Sequence, residues 1–351
     1  MEKTYFEQRE IDTIEKLRMV KKDLPVVCNE FFIGIEHTTS PLTRLGYALD
    51  LRIFFDYLTK EIDYFVGKNV LTLSYEDFEH IESFHIEMFL DYLTYYKIDN
   101  KEYKNTIKTK SRKLSSLKSF FKFCYDKDRI KKDPASKVKS PKIHEKPIIR
   151  FDNEEVSEFL DTVESGKGLT GHAQAFHNRT KERDIAIMTL FLGTGIRISE
   201  LVGLDVDDID FDKKAFKVTR KGGNQTILYF NDEVLDALLK YMDVRALNPA
   251  LDDEPALFCS LKNKRIDVRS VQILVKKYSN LSTPLKHITP HKLRTTFGTS
   301  LYQNTKDIYV VAEVLGHKDV NTTKRHYAAI SENIKKEAIE HVNLRDHNKD
   351  E

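Results

Sequence analysis

Apolar residues recur along this chain at helical intervals far more often than they alternate. Residues 4–22 place Phe6, Ile14, Leu17 and Val20 at mostly helical spacing, and residues 42–58 carry a clearer stripe of Leu45, Leu49, Ile53, Phe54 and Leu58. "FHIEMFLDYLTYY" (84–96) predicts a further helix. "TIKTKSRKLSSLKSFFKFCYD" (106–126) predicts an amphipathic one, with Ile107, Leu114, Leu117, Phe120, Phe121 and Cys124 on one side and Lys108, Lys110, Arg112, Lys113, Lys118 and Lys122 elsewhere. In the second half, helices are expected to start near Asn153, over "RDIAIMTLFLGTG" (183–195) and from "RISELVGL" (197–204) onwards. The period changes once: two β-rich runs, Phe216 to Thr219 and Thr226 to Phe230, flank Gly222 and Gly223 and read as a short hairpin. Helical spacing then resumes to the C-terminus, and no internal repeat interrupts it. The fold class expected is mainly α, a helical N-terminal domain followed by an α-rich domain with one small β-sheet or hairpin.

Between these halves "KKDPASKVKSPKIHEKPIIR" (131–150) holds Pro134, Pro141 and Pro147 without an apolar stripe, the mark of an extended connection. The boundary is placed there: residues 1–138 as an N-terminal helical domain, 139–149 as a basic linker, and 150–351 as the second domain. A chain of 351 residues is long enough for two such cores.

Charge sharpens the picture. The net charge is only +2, but residues 97–150 contain 18 Lys and Arg against 6 Asp and Glu, a local +12 that the rest of the chain balances. On its own a basic block is as readily a solvated face as a surface for phosphates; the helix at 106–126 and the linker at least put it where a nucleic-acid backbone could run. No run approaches the roughly 18 uninterrupted apolar residues of a membrane span, and the opening "MEKTYFEQRE" lacks the apolar core of a signal peptide. A cytoplasmic protein with no membrane partner is expected. Cys28, Cys124 and Cys259 stand far apart with no CxxC pair, so they read as three buried small hydrophobes, with neither a disulfide framework nor a zinc site. His172 and His177 lack neighbouring carboxylate or cysteine partners and read as loop residues; no metal site is expected.

Candidate chemistry sits in the second half. Arg197 follows "GTG", where glycines end one helix and let the chain reverse, so its guanidinium fork projects from the start of the next helix, with Glu200 one turn on to brace it. "HKLR" follows a Thr289–Pro290 helix start, and its i, i+3 spacing puts His291 and Arg294 on one face near an N-terminus that favours anions. His317 follows Leu315 and Gly316, and Lys221 sits at the hairpin tip. Each of these is weak alone: an arginine at a helix start commonly serves an ion pair, and a hairpin lysine commonly serves solubility.

Taken in order, Arg197, Lys221, His291, Arg294, His317 and Tyr327 resemble the catalytic set of the tyrosine recombinases, the integrase family, through "GTGIRISEL", "RKGG", "HKLR", "LGH" and "TTKRHY". The resemblance covers residues 150–330, and the basic helical N-terminal part is similar to that family's core-binding domain, which casts Lys108, Lys110, Arg112, Lys113, Lys118 and Lys122 as DNA-binding. Within the family the chain resembles the bacterial Xer type, and "DTVESGKGLTGHAQAFHNRTKERD", "RKGGN" and "KRHYAAI" resemble the single-recombinase Xer systems of Gram-positive bacteria. In many relatives the nucleophile comes one residue sooner after "LGH", where His326 stands here; one residue rotates a helical side chain by about 100°. Tyr327 is the only tyrosine in the stretch.

The resemblance implies a site-specific recombinase that cuts and rejoins DNA through a 3′-phosphotyrosyl intermediate on Tyr327, without a cofactor. Arg197 and Arg294 would neutralise the phosphate, Lys221 would protonate the leaving 5′-oxygen, His291 would assist proton transfer, His317 would bond the phosphate, and Glu200 would support the pocket. It further implies a double-stranded recombination site as partner and a homotetramer on DNA, compatible with a monomer in solution, with the helix expected over "SENIKKEAIEHV" (331–342) docking either on its own domain or on a neighbouring subunit. Resolution of chromosome dimers at a dif-like site, with or without a DNA translocase, is the expected biology. The integrase of a mobile element and an inactive DNA-binding relative stand as alternatives.

Overall fold

In a computed structural model the chain divides into two compact units, residues 1–146 and 147–351, and the structure describes residues 3–98, 100–142, 148–220, 223–316 and 320. The first unit is built from α1 (Tyr5–Lys21), α2 (Cys28–Gly34), α3 (Pro41–Glu61), α4 (Tyr75–Phe78), α5 (Ser83–Tyr92) and α6 (Ile107–Asp126), with a two-stranded antiparallel ribbon, β1 (Tyr96–Ile98) and β2 (Lys101–Tyr103). Its core is aromatic: Phe31, Phe54, Phe55, Phe78, Phe89, Phe120 and Phe121 are all buried, many of them meeting edge to face. Cys28 and Cys124 are buried in the same core, as expected for small hydrophobes.

Two stripes differ from the sequence expectation. On α3 the buried line is Ala48, Leu51, Phe54, Phe55 and Leu58, and Leu49 lies on the exposed side. The stretch at 84–96 does not stay helical: α5 stops at Tyr92, and Tyr96 enters β1 to stack on Tyr103 of β2 with centroids 5.2 Å apart. Apolar and aromatic residues continue through that stop, so periodicity alone could not register it. Residues 131–138 are not extended linker either. Ala135 and Val138 are buried in the first core, and Ser83 Oγ donates to the Pro134 carbonyl at 2.8 Å.

Helix α6 buries Leu114, Leu117, Phe120, Phe121 and Cys124, while Ile107 in its first turn is exposed. Among its cations Lys108 and Lys122 are exposed and Lys110 and Lys118 half-buried. Lys113 is a correction: its side chain is buried and bonds the equally buried Asp50 carboxylate of α3 at 3.1 Å, leaving no ammonium for DNA. Arg112 donates two bonds to the same carboxylate, at 2.5 and 2.7 Å, and Ser116 Oγ donates a fourth at 2.7 Å. Burial pulls the Lys113 pKa below the ordinary lysine range, against the upward pull of Asp50. Asp50→Ala would leave that ammonium buried without its counter-ion, and a loss of about 3–5 kcal/mol in urea unfolding is expected. Asp50→Ala with Lys113→Met should recover part of it; a single-variant loss below about 1 kcal/mol would show that the network carries little.

The second unit comprises α7 (Asn153–Ser165), α8 (Gly171–Thr194), α9 (Ile198–Val202), a three-stranded antiparallel sheet in the order β3 (Ile209–Asp210), β4 (Ala215–Thr219), β5 (Gln225–Tyr229), then α10 (Asp232–Ala246), α11 (Val268–Ser282), α12 (Pro290–Thr305) and α13 (Ile308–Leu315). Phe216 pairs with Leu228 and Thr219 with Gln225, the expected hairpin with one more strand beside it. α8 is the central helix, packed against α7, α10 and α12 with Ala186, Ile187, Met188, Leu190 and Phe191 fully buried.

α8 begins twelve residues before the stretch expected, so His172 and His177 are helical and not in a loop. Its early core-facing positions are polar. His177, Thr180 and Asp184 point inward at i, i+3 and i+7 spacing and satisfy one another: Tyr278 of α11 donates to Asp184 Oδ2 at 2.8 Å, Thr180 Oγ1 bonds the same oxygen at 3.1 Å, and His177 Nδ1 meets the Tyr278 hydroxyl at 3.1 Å. Burial first, then the Lys277 charge, lowers the His177 pKa and favours a neutral ring. Hydrophobic patterning is blind to a buried polar face of this kind.

Candidate active site

Three helix ends meet at one glycine. α8 closes on Gly195, left-handed at φ 63°, whose N–H donates to Phe191 O at 3.0 Å. A Cβ on Gly195 would stand 2.4 Å from Phe297 of α12 and 2.9 Å from Leu315 of α13, so only glycine lets these helices close on the turn. The chain then reverses and presents Arg197 as the N-cap residue of α9.

Arg197 is held from two sides. Glu200, itself 3% exposed, accepts from the Arg197 backbone N–H at 3.0 Å and from Nη1 at 2.7 Å, while Nη2 donates to the carbonyls of Leu315 and Gly316 at 3.2 and 3.1 Å. Arg294, on α12 and 5% exposed, donates from Nη1 to Gly195 O at 2.5 Å and from Nη2 to Leu315 O. The two arginines, far apart in sequence, thus share one carbonyl. His291 lies one turn before Arg294 on the same helix and is exposed. α12 does begin at Pro290 with Thr289 in the cap position, although the Thr289 side chain makes no capping bond.

A third arginine, which the sequence reading did not single out, completes the arrangement. Arg220 follows β4, its Nη2 donates to Val314 O at 3.1 Å, and its Nε and Nη1 are buried with no hydrogen-bond partner among the described residues. Burial, then the charge of Arg197, pulls its pKa below the ordinary arginine range. The signal was legible: Phe216 and Val218 point inward on β4, and period two places Arg220 on that same side. The last-turn carbonyls of α13, which carry no intrahelical partner, explain why three cations gather here. Among the described residues the carboxylate bonded within this cluster is that of Glu200, which accepts from Arg197. Lys221, His317 and Tyr327, and the stretch 331–342, lie outside the described residues; Arg220 and Gly316 are the described neighbours of the first two. No group of three His, Cys, Asp or Glu able to hold a metal occurs among the described residues.

Residues 150–333, more than half of the chain, match the phage integrase family. The chain belongs to that family. It is a Xer-type tyrosine recombinase, an enzyme that breaks and rejoins DNA. Tyrosine recombinase XerC of Caldanaerobacter subterraneus subsp. tengcongensis is 33% identical over 340 residues, covering 95% of this chain and 89% of that protein. The XerC of Chlorobaculum tepidum is 31% identical over 309 residues, 84% of this chain and 88% of its own. Among solved structures, the Tn1549 transposon integrase in complex with transposon right end DNA shares the fold at a TM-score of 0.62 and 19% identity, over 89% of this chain and 98% of that one. The XerH recombinase bound to a palindromic difH substrate shares it at 0.60 and 19%, over 85% and 80%. For a recombinase the described geometry has a plain chemical meaning: the forked donors of Arg197 and Arg294, from two separate elements, converge on the Leu315 carbonyl. No helix among the described residues is long and apolar enough to cross a membrane.

Proposed function

We propose that this recombinase resolves chromosome dimers at a dif-like site in the cytoplasm, as a homotetramer assembled on two duplexes. The observation that carries the reading is the convergence of Arg197 and Arg294 on the Leu315 carbonyl, two residues before His317. In the reaction Tyr327 Oη, giving up its phenolic proton to His291, attacks the scissile phosphorus and the P–O5′ bond breaks. The phosphodiester becomes a 3′-phosphotyrosyl ester, and the 5′-oxygen takes a proton from Lys221. Arg197 and Arg294 neutralise the non-bridging oxygens as charge builds in the transition state, Glu200 holds the Arg197 fork, His291 assists proton transfer and His317 bonds the phosphate. Because bond energy is kept in the ester, the reverse step joins a partner strand with no cofactor. In the first unit Lys108, Lys110, Lys118 and Lys122 face phosphates, and Arg112, paired with Asp50 but with about half of its side chain exposed, adds to them. The XerC relatives and the difH substrate of XerH support the choice of dimer resolution; the Tn1549 likeness keeps mobile-element integration as the second reading.

The test is a supercoiled plasmid bearing two directly repeated dif-like sites, incubated with the full chain alone and with a DNA translocase added. Two separate circles are the expected product. Conversion only of substrates carrying mobile-element ends would replace dimer resolution by integration, and binding to every substrate without strand breakage would favour the inactive relative.

A further inference from the structure

Arg220 has no role in the chemistry set out above, yet it is built into the same cluster. We propose that Arg220 is a positioning residue for strand cleavage: it ties the hairpin tip that bears Lys221 to the end of α13, and so sets the proton donor against the phosphate held by Arg197 and Arg294. The inference rests on Lys221 being the general acid.

The hairpin turn is closed by Arg220 itself, whose N–H donates to Asn224 O at 2.8 Å and whose carbonyl accepts from Gly223 N–H at 3.0 Å. Its side chain leaves the hairpin and reaches Val314 O at 3.1 Å. The guanidinium then lies against Gly316, where a Cβ would fall 1.0 Å from Nη1 and 2.2 Å from Cζ. One residue therefore fixes the backbone that precedes Lys221 and packs on the backbone that precedes His317. Nε and Nη1 are buried with no bonded partner among the described residues, an arrangement that costs stability. Local rules are broken at that expense mainly where position matters for function.

The departing group discriminates. On a normal strand O5′ leaves with the electrons of the broken P–O bond and needs the Lys221 proton. On a strand with sulfur in place of the bridging O5′ the leaving thiolate is stable, since a thiol has a pKa of about 8.5, and no proton donor is required. Single-turnover cleavage would be measured on both strands for wild type, Lys221→Ala, Arg220→Ala and Arg220→Lys, with DNA binding and thermal melting of each. Arg220→Ala is expected to cleave the oxygen strand about 10²-fold more slowly, and the sulfur strand within about threefold of wild type, at unchanged DNA affinity. Arg220→Lys, which keeps charge and most of the volume, should fall between and show the same relief, and it decides the matter if Arg220→Ala does not fold. Equal slowing on both strands by a folded Arg220 variant overturns the inference, because the residue would then touch the phosphate or serve stability alone. If Lys221→Ala is not relieved by sulfur, the general-acid assignment itself fails and the positioning role falls with it; relief for Lys221→Ala without relief for Arg220→Ala sinks only the latter.

Discussion

Tyr327→Phe is expected to form no covalent protein–DNA adduct on a nicked suicide substrate carrying a dif-like site, while His326→Phe still forms one. With Tyr327 as the proposed nucleophile, the substitution removes the attacking oxygen, so the loss should exceed about 10³-fold, the scale seen when a nucleophile is deleted. The pairing with His326→Phe matters because the tyrosine lies one residue later than in many relatives, and a one-residue offset turns a helical side chain by about 100°. A denaturing gel reads the result directly. An adduct that persists in Tyr327→Phe would place the nucleophile on another residue, and an adduct lost equally in both variants would point to a fold effect in this stretch.

The second large effect separates the two arginines by where they are anchored. Arg197→Ala and Arg294→Ala should each slow cleavage by about 10²–10³, the usual consequence of deleting one donor that stabilises developing charge. Both variants should also melt below wild type, for different reasons. The Arg294 guanidinium is buried and bonds Gly195 O and Leu315 O; its truncation orphans the Gly195 carbonyl at a cost of about 1–3 kcal/mol, while Leu315 O keeps its Arg197 donor. Truncating Arg197 leaves the Glu200 carboxylate, 3% exposed, without its bonded guanidinium, which is destabilising in its own right. Arg294→Lys keeps the charge but cannot span two acceptors, and it should remain slow. Single-turnover cleavage and thermal melting on the same preparations check both parts. Cleavage by Arg197→Ala within about threefold of wild type would remove that residue from the phosphate site; melting of either alanine variant at the wild-type temperature would contradict the structural role of its guanidinium.

Much of this was legible in the chain. A helix whose apolar residues pack on a core of similar residues writes that packing into its spacing, which is why α6 and the apolar end of α8 were readable, and why the glycine pair between two β-rich runs marked the hairpin. The pairing of Arg197 with Glu200 also followed from local geometry, since i, i+3 neighbours share a face. What escaped was burial of polar groups. Lys113 read as a cation for DNA because a lysine on an amphipathic helix is normally solvated, and only the partner at Asp50, brought in by α3, makes its burial tolerable. The first half of α8 read as a loop for the same reason: His177, Thr180 and Asp184 form its inward face and are satisfied by Tyr278 from α11.

Sequence by itself determined the class of chemistry. Which residue types occur, in what order and with what local turns, is written in one dimension, and through the family resemblance those motifs carry, Arg197, Lys221, His291, Arg294, His317 and Tyr327 stand as the proposed catalytic set. Tertiary structure decided which cations gather. Arg197 from α9, Arg220 from the hairpin and Arg294 from α12 meet because the last carbonyls of α13 lack helical partners and a bare Gly195 lets the helices close. Such convergence depends on acceptors supplied by a segment remote in sequence, so no pattern local to any one arginine could reveal it.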